Sequence, residues 1–218
     1  MTATPEGWYA DPDDPSRWRW WDGSAWTDQF SAPSGDRKLW TETTLWVVAK
    51  TGFAKWSAEV LAEDGRRAGT MRAGGNMGDM TLSDAGGAPQ LGFVVDNIPR
   101  YGSGLLSTIV SDEAGVELGE LALTKFVNKR VTVSIRSSVG EEAKLASEDK
   151  TTRAFAVHDA ADQGVARVLQ SRSGGGLVDK ETTWQVTISR PLERASDPLV
   201  LAACLGLDFI QILAFNQR

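Results

Sequence analysis

Cysteine and histidine are nearly absent: each occurs once in 218 residues. Cys204 alone cannot close an internal disulfide, and no Cys or His spacing of the zinc-site type exists, so a disulfide framework and a zinc core are both excluded. Cys204 lies in an apolar run and reads as a small buried hydrophobe rather than a reactive thiol, which fits a reducing compartment. His158, beside Asp159 in an expected turn, has no nucleophile-elbow motif to serve, so it reads as a surface turn residue. No phosphate-binding or dinucleotide fingerprint occurs, and Gly174 to Gly176 are not followed by a helix, so they read as a loop. A cationic excess is also missing. The formal net charge is −6, with 23 Lys and Arg against 29 Asp and Glu, whereas nucleic-acid binders usually carry a basic face. The N-terminus lacks the basic start and apolar stretch of a signal peptide. These absences predict a cytoplasmic non-enzyme with no metal, no cofactor and no nucleic-acid partner.

What is present divides the chain. Five of the nine tryptophans (Trp8, Trp18, Trp20, Trp21 and Trp26) fall within residues 1–30. A segment this short buries little surface, and large aromatics are the most effective way to give it a core. Asp11-Pro12 and Asp13-Asp14-Pro15 interrupt the chain after Trp8-Tyr9. Arg17 to Trp21 reads as a strand, Asp22-Gly23 as a turn and Ala25-Trp26-Thr27 as the returning strand. Gly7-Trp8-Tyr9, Asp11-Pro12, Arg19, Trp21-Asp22-Gly23 and Trp26-Thr27 resemble the tryptophan-rich, WW-like domain of unknown function often found at the N-termini of actinobacterial proteins. That resemblance implies a small β-module. Trp8, Tyr9 and Trp26 are its candidate partner-binding residues, the alternative being that they form its core. Residues 31–37, rich in Ser, Pro and Gly, are expected to be a linker.

From residue 38 a strand, an acidic turn with glycine and a second strand recur. The turns are Glu63-Asp64-Gly65, Ser83-Asp84-Ala85-Gly86-Gly87, Ser111-Asp112-Glu113-Ala114-Gly115 and His158-Asp159 to Gly164. Asp caps such a turn through its side chain and Gly takes the positive φ that closes it. Gly69, Gly92 and Gly119 open return strands, where bulges and close backbone approach belong. Calcium loops are the functional alternative, but these turns offer only one or two carboxylates each. Further strands are expected at Val131–Arg136, Glu142–Ala146 and Thr182–Arg190. Repeated hairpins favour an antiparallel meander of about twelve strands closed into a barrel, because closure removes exposed edges.

Before Pro198 there is no helical period. Asp197-Pro198 is a helix start, with Asp expected as N-cap and Pro at the first position. The run to Phe215 is apolar on every side apart from Asp208 and Gln211, so a helix over 198–215 should be buried all round. A membrane span is the rival. The run is at the short edge of what a bilayer needs, and Asp208 near its middle is costly there.

The hairpins and the Asp197-Pro198-Leu199 start of an apolar terminal helix resemble the tubby C-terminal-like superfamily, in particular its bacterial phospholipid-scramblase-related and LURP-one-related members. The resemblance covers 38–218 and implies a mainly β chain: a closed antiparallel barrel around a buried C-terminal helix, preceded by the WW-like module. One basic cluster stands out, Lys125-Phe126-Val127-Asn128-Lys129-Arg130, between two strands. Lys125, Lys129 and Arg130 beside Phe126 suit an anionic phospholipid headgroup or membrane surface, the bland alternative being a solvated hairpin loop. Together with the resemblance, this implies a non-enzymatic protein binding anionic lipid at the barrel surface, peripheral at the inner face of the membrane. The second reading is a soluble interaction protein that recruits a partner through residues 1–30.

Overall fold

The computed structural model describes residues 7–10, 18–21, 23–31, 41–52, 55–74, 78–96, 106–127, 130–148, 153–175, 180–192 and 196–216. The chain divides into two compact units, Met1–Arg37 and Lys38–Arg218. The first contains a three-stranded antiparallel sheet of β1 (Gly7–Ala10), β2 (Trp18–Trp21) and β3 (Trp26–Ser31), in that order. Trp21 and Trp26 pair across β2 and β3, with ring centroids 5.3 Å apart and planes at 67°, an edge-to-face contact. The linker expected over 31–37 lies, beyond the backbone of Ser31, outside the described residues.

The second unit is a closed barrel of twelve strands. They are β4 (Thr44–Gly52), β5 (Lys55–Ala62), β6 (Arg67–Ala73), β7 (Asp79–Asp84), β8 (Pro89–Asp96), β9 (Leu106–Asp112), β10 (Glu117–Val127), β11 (Arg130–Ser137), β12 (Glu142–Ser147), β13 (Ala154–Asp159), β14 (Gly164–Gly175) and β15 (Lys180–Ile188). Every strand pairs antiparallel with its sequence neighbours, and β15 closes on β4 from Lys180↔Thr51 to Thr187↔Thr44. Closure leaves no strand edge open. Alternation along β5 is strict, Trp56, Ala58 and Val60 facing in and Lys55, Ser57 and Glu59 facing out.

In a continuous meander, successive hairpins fall at opposite ends. One rim carries the five short turns that join β5–β6, β7–β8, β9–β10, β11–β12 and β13–β14. All five share one hydrogen-bond pattern. At β9–β10, for example, Gly115 N–H donates to the Asp112 carbonyl (3.0 Å) and Asp112 N–H to the Val116 carbonyl (3.0 Å). The Asp112 carboxylate caps the turn, accepting from the backbone N–H groups of Ala114 (3.0 Å) and Val116 (2.8 Å). Two details differ from expectation. The β11–β12 turn belongs to the set, with the Ser137 hydroxyl in the place of Asp and accepting from Glu141 N–H at 2.9 Å. In the β13–β14 turn the positive φ belongs to Asp162 (59°), while Gly164 opens the next strand.

The interior is filled by two helical segments, α1 (Asp197–Leu205) and α2 (Leu207–Asn216), in place of the single helix expected over 198–215. The break is local. Gly206 N–H still donates to the Ala202 carbonyl (2.8 Å) and Ile210 N–H to Gly206 (2.9 Å), but Gly206 sits at φ −84°, ψ 2°. A Cβ on Gly206 would stand 2.9 Å from the Ala202 oxygen and 3.4 Å from Met80 Cε, so glycine lets the chain kink against β7. Leu199 to Ala203 have no solvent exposure at all. Helical residues meet strands on different sides of the ring: Leu199 meets β10 at Gly119, and Phe209 meets Trp56 of β5, centroids 5.3 Å apart.

The helix start is also built differently. Ser196 is the N-cap and makes no side-chain cap bond, while Asp197 is the first helical residue. The Asp197 carboxylate is engaged instead by Arg190, whose Nη1 donates to Oδ2 (2.8 Å) and Nη2 to Oδ1 (2.6 Å). A bidentate guanidinium outcompetes a single backbone N–H.

Candidate functional site

Three clefts lined by described residues open to solvent. One, of about 400 Å³, runs along β6 and β7 past Arg72, Gly74, Asp79, Thr81 and Ser83. Another lies at the exit of β15, between Glu42, Ile188, Arg190 and Leu192. A third sits beside the start of α1, between Gly140, Glu142, Ala160 and Ser196. Among the described residues no group of three or more His, Cys, Asp or Glu side chains is arranged to hold a metal ion.

The expected lipid-binding residues fall on one hairpin. Lys125 lies near the end of β10, opposite Thr132, after a register shift between Leu123 and Lys125. Arg130 is the first residue of β11 and pairs with Val127, so only residues 128 and 129 connect the strands. The backbone thus brings Lys125 and Arg130 to one hairpin tip, at the rim opposite the five capped turns. Their side chains, and Lys129 altogether, lie outside the described residues.

Trp8 and Tyr9 are in β1, opposite Trp20 and Arg19, with side chains likewise outside the described set. Trp26 is half-buried, one face taken by Trp21. His158 is a half-buried residue of strand β13 rather than of the turn, opposite Lys144 and Gly164. The Asp159 carboxylate beside it accepts from Ala161 and Gln163 N–H, each at 3.0 Å, and so serves the turn. Cys204 is buried and its thiol is pushed up to about 12 by loss of solvation, which removes it as a nucleophile at neutral pH.

Two polar constellations were not named from sequence. At the start of α1, Arg190 clasps Asp197, and the Ser196 N–H donates to Glu141 Oε2 at 2.9 Å. The Arg190 pKa is raised, first by its hydrogen bonds to Asp197 and against the opposing effect of burial. Inside the barrel, Asp208 accepts from Trp56 Nε1 at 3.0 Å and from Trp184 Nε1 at 3.2 Å. The need of a buried Asp208 for polar partners was legible, but that two indoles on β5 and β15 supply them was not. The amide nitrogen of Gln211, by contrast, is buried without a hydrogen-bond partner. Both constellations hold the helical segments in the barrel; the first borders two of the clefts, through Arg190 and through Glu141 and Ser196, whereas Asp208 is buried.

The N-terminal unit has a family likeness. Residues 7–37 match a family described as "Protein of unknown function (DUF2510)". The matched stretch contains the Gly7-Trp8-Tyr9 and Trp21-Asp22-Gly23 motifs. A solved X-ray structure of a protein from Arabidopsis thaliana is similar to the chain at 12% identity and a TM-score of 0.49, covering 83% of this chain and 99% of that one. No curated protein matches. Among the described residues no helix is long and apolar enough to cross a membrane.

Proposed function

We propose that the chain is a non-enzymatic, peripheral membrane-associated protein of the tubby-like, phospholipid-scramblase-related type, which binds anionic phospholipid headgroups at the barrel surface. The closed twelve-stranded meander with an apolar C-terminal helical core is the architecture that this resemblance implies. The observation that carries the functional half is the fullness of the barrel: with Leu199 to Ala203 wholly buried in its centre, a ligand must be met on the outside. There the backbone of the β10–β11 hairpin brings Lys125 and Arg130 to one tip. A cation near an anionic membrane is worth about 1 kcal/mol. Co-sedimentation of the full chain with phosphatidylcholine vesicles containing phosphatidylglycerol tests this. Wild type should bind, and Lys125→Ala/Lys129→Ala/Arg130→Ala should bind about 100-fold more weakly. A wild type that stays in the supernatant at low salt overturns the reading, and equal binding by both proteins removes the hairpin from it.

A second reading, recruitment of a protein partner by the N-terminal unit, is favoured by one observation: Trp26 remains half-exposed although it packs on Trp21. A pull-down in which a specific partner is lost on Trp26→Ala would support it.

A further inference from the structure

The two rims of the barrel differ in charge. At the rim of the capped turns, acids recur in every hairpin: Asp64, Asp84, Asp112, Glu141 and Asp159 each sit at or beside a turn. The cations there are engaged locally: Arg66, Arg136 and Arg190 are ion-paired with Glu42, Glu142 and Asp197, at 3.1, 2.6 and 2.6 Å, and Arg67 donates to the Ala85 carbonyl. At the opposite rim the balance reverses. Exposed Lys50 and Lys55 flank the β4–β5 hairpin, and exposed Arg153 precedes β13. By register, Lys125 and Arg130 stand at the tip of β10–β11, and Lys180 begins β15 opposite Thr51. Following the ring from β10 through β15 to β5, these positions form one continuous arc. Among the described residues the arc also holds two acids: Glu148, ion-paired with Arg167 at 2.9 Å, and Glu181, opposite Lys50 in the β15–β4 ladder. The remaining strands of this rim bring Asp79 and Asp96 together with an exposed cation, Arg72.

We infer that the barrel docks end-on, with this basic arc facing an anionic phospholipid bilayer and the capped acidic turns pointing away. Resting on the lipid reading above, the inference extends the contact from one hairpin to cations far apart in sequence. Geometry favours a membrane over a nucleic acid. The tips do not end level, since β14 runs on from Leu169, opposite Ala154, to Gly175, opposite Lys180, but all of them lie at one end of the barrel, where a broad plane of negative charge reaches cations spread around the ring and a narrow strand does not.

The net charge of −6 does not oppose this. An eight-residue strand such as β5 spans about 26 Å, and about 20 Å of that lies along the axis after the usual tilt. The physiological Debye length is about 8 Å. The acidic rim is therefore more than two screening lengths from a surface that the basic rim touches.

The test uses the full chain and vesicles of phosphatidylcholine with about one-third phosphatidylglycerol, at salt near physiological. Lys55→Glu/Arg153→Glu reverses two exposed cations of the arc on hairpins other than β10–β11. Glu63→Lys/Glu113→Lys reverses two exposed acids of the far rim. The first should weaken binding by at least about 25-fold, and the second should change it by less than about twofold. Circular dichroism of each variant confirms folding, and Lys55→Glu alone, at about fivefold, serves if the double variant does not fold. If wild type binds and Lys55→Glu/Arg153→Glu binds equally well, end-on docking is overturned while the lipid reading stands. If Glu63→Lys/Glu113→Lys strengthens binding several-fold, the orientation is overturned. If wild type binds no vesicle but retains a short duplex DNA, both the inference and the lipid reading fall.

Discussion

Trp184 and Asp208 meet inside the barrel, the indole Nε1 donating to Oδ1 at 3.2 Å, while Trp56 donates to the other carboxylate oxygen at 3.0 Å. One buried acid thereby satisfies two buried donors on strands that flank β4, and it ties α2 to both. Asp208→Leu would leave two indole N–H groups without acceptors, each costing about 1–3 kcal/mol. The expected loss is about 2–5 kcal/mol, read as a lower urea midpoint by far-ultraviolet circular dichroism. Replacing both tryptophans by Phe along with Asp208→Leu should recover part of it, since an apolar set leaves no orphan donor. A midpoint unchanged in Asp208→Leu would show that the network contributes nothing.

At Gly119 the sheet leaves room for the helix. It lies at a register shift in β10 with φ +150°, and a Cβ there would stand 2.1 Å from the Arg136 carbonyl oxygen and 2.8 Å from Leu199 Cδ1. Backbone of β11 cannot move aside without breaking the ladder. Gly119→Ala should therefore cost about 3 kcal/mol or more, or prevent folding. Gly164→Ala is the control, because nothing lies within 4 Å of its Cβ position. It should change the melting temperature by no more than a degree or two.

The contrast between these glycines shows how much of the fold was legible. Asp112-Glu113-Ala114-Gly115 states its turn locally, since the carboxylate that caps it and the glycine that closes it are three residues apart. Strands between such turns could be read because alternation such as that of β5 is also local, and a meander needs only neighbours to pair. Gly206 was hidden inside an apolar run, where nothing in the pattern distinguishes a kink from a continuous helix. Arg190 looked like the end of a strand, and its role depends on Asp197 being brought back to it by a connection through residues 193–195. The candidate site divides the same way. Lys125, Lys129 and Arg130 are neighbours in the chain and were visible at once, whereas Arg153 comes to the same rim through the β11–β12–β13 ladder and Lys50 only when β15 closes on β4.

Asp162 offers a stabilising change. It is the non-glycine residue with positive φ among the described residues, at 59°, in the position that glycine occupies in the other four turns of its rim. A left-handed residue with a Cβ is strained by about 1–2 kcal/mol, less for Asp, and glycine removes that strain while adding freedom to the unfolded chain. Asp162→Gly should raise stability by about 0.5 kcal/mol, a shift of one or two degrees in thermal melting. Destabilisation would mean that the Asp162 side chain serves the turn more than its backbone strain costs.

Cys204 makes stability depend on alkaline pH. Burial raises its pKa from 9.0 to about 12, so between those values the unfolded chain loses the thiol proton while the folded chain keeps it. The folded state then binds more protons than the unfolded state, and stability falls as pH rises. The contribution is fully present below pH 9 and is progressively lost up to about pH 12. At pH 10.5 the loss should be about 2 kcal/mol, from about 1.4 kcal/mol per pH unit above the unfolded value. Lysines and tyrosines titrate in the same window, so the comparison must be differential. The gap between wild type and Cys204→Ala, measured by urea unfolding under reducing conditions, should narrow or reverse between pH 8 and pH 10.5, because the variant lacks the group that ionises on unfolding. A gap that stays constant over that range would mean that the thiolate is accommodated in the folded barrel, and hence that water reaches the centre of α1.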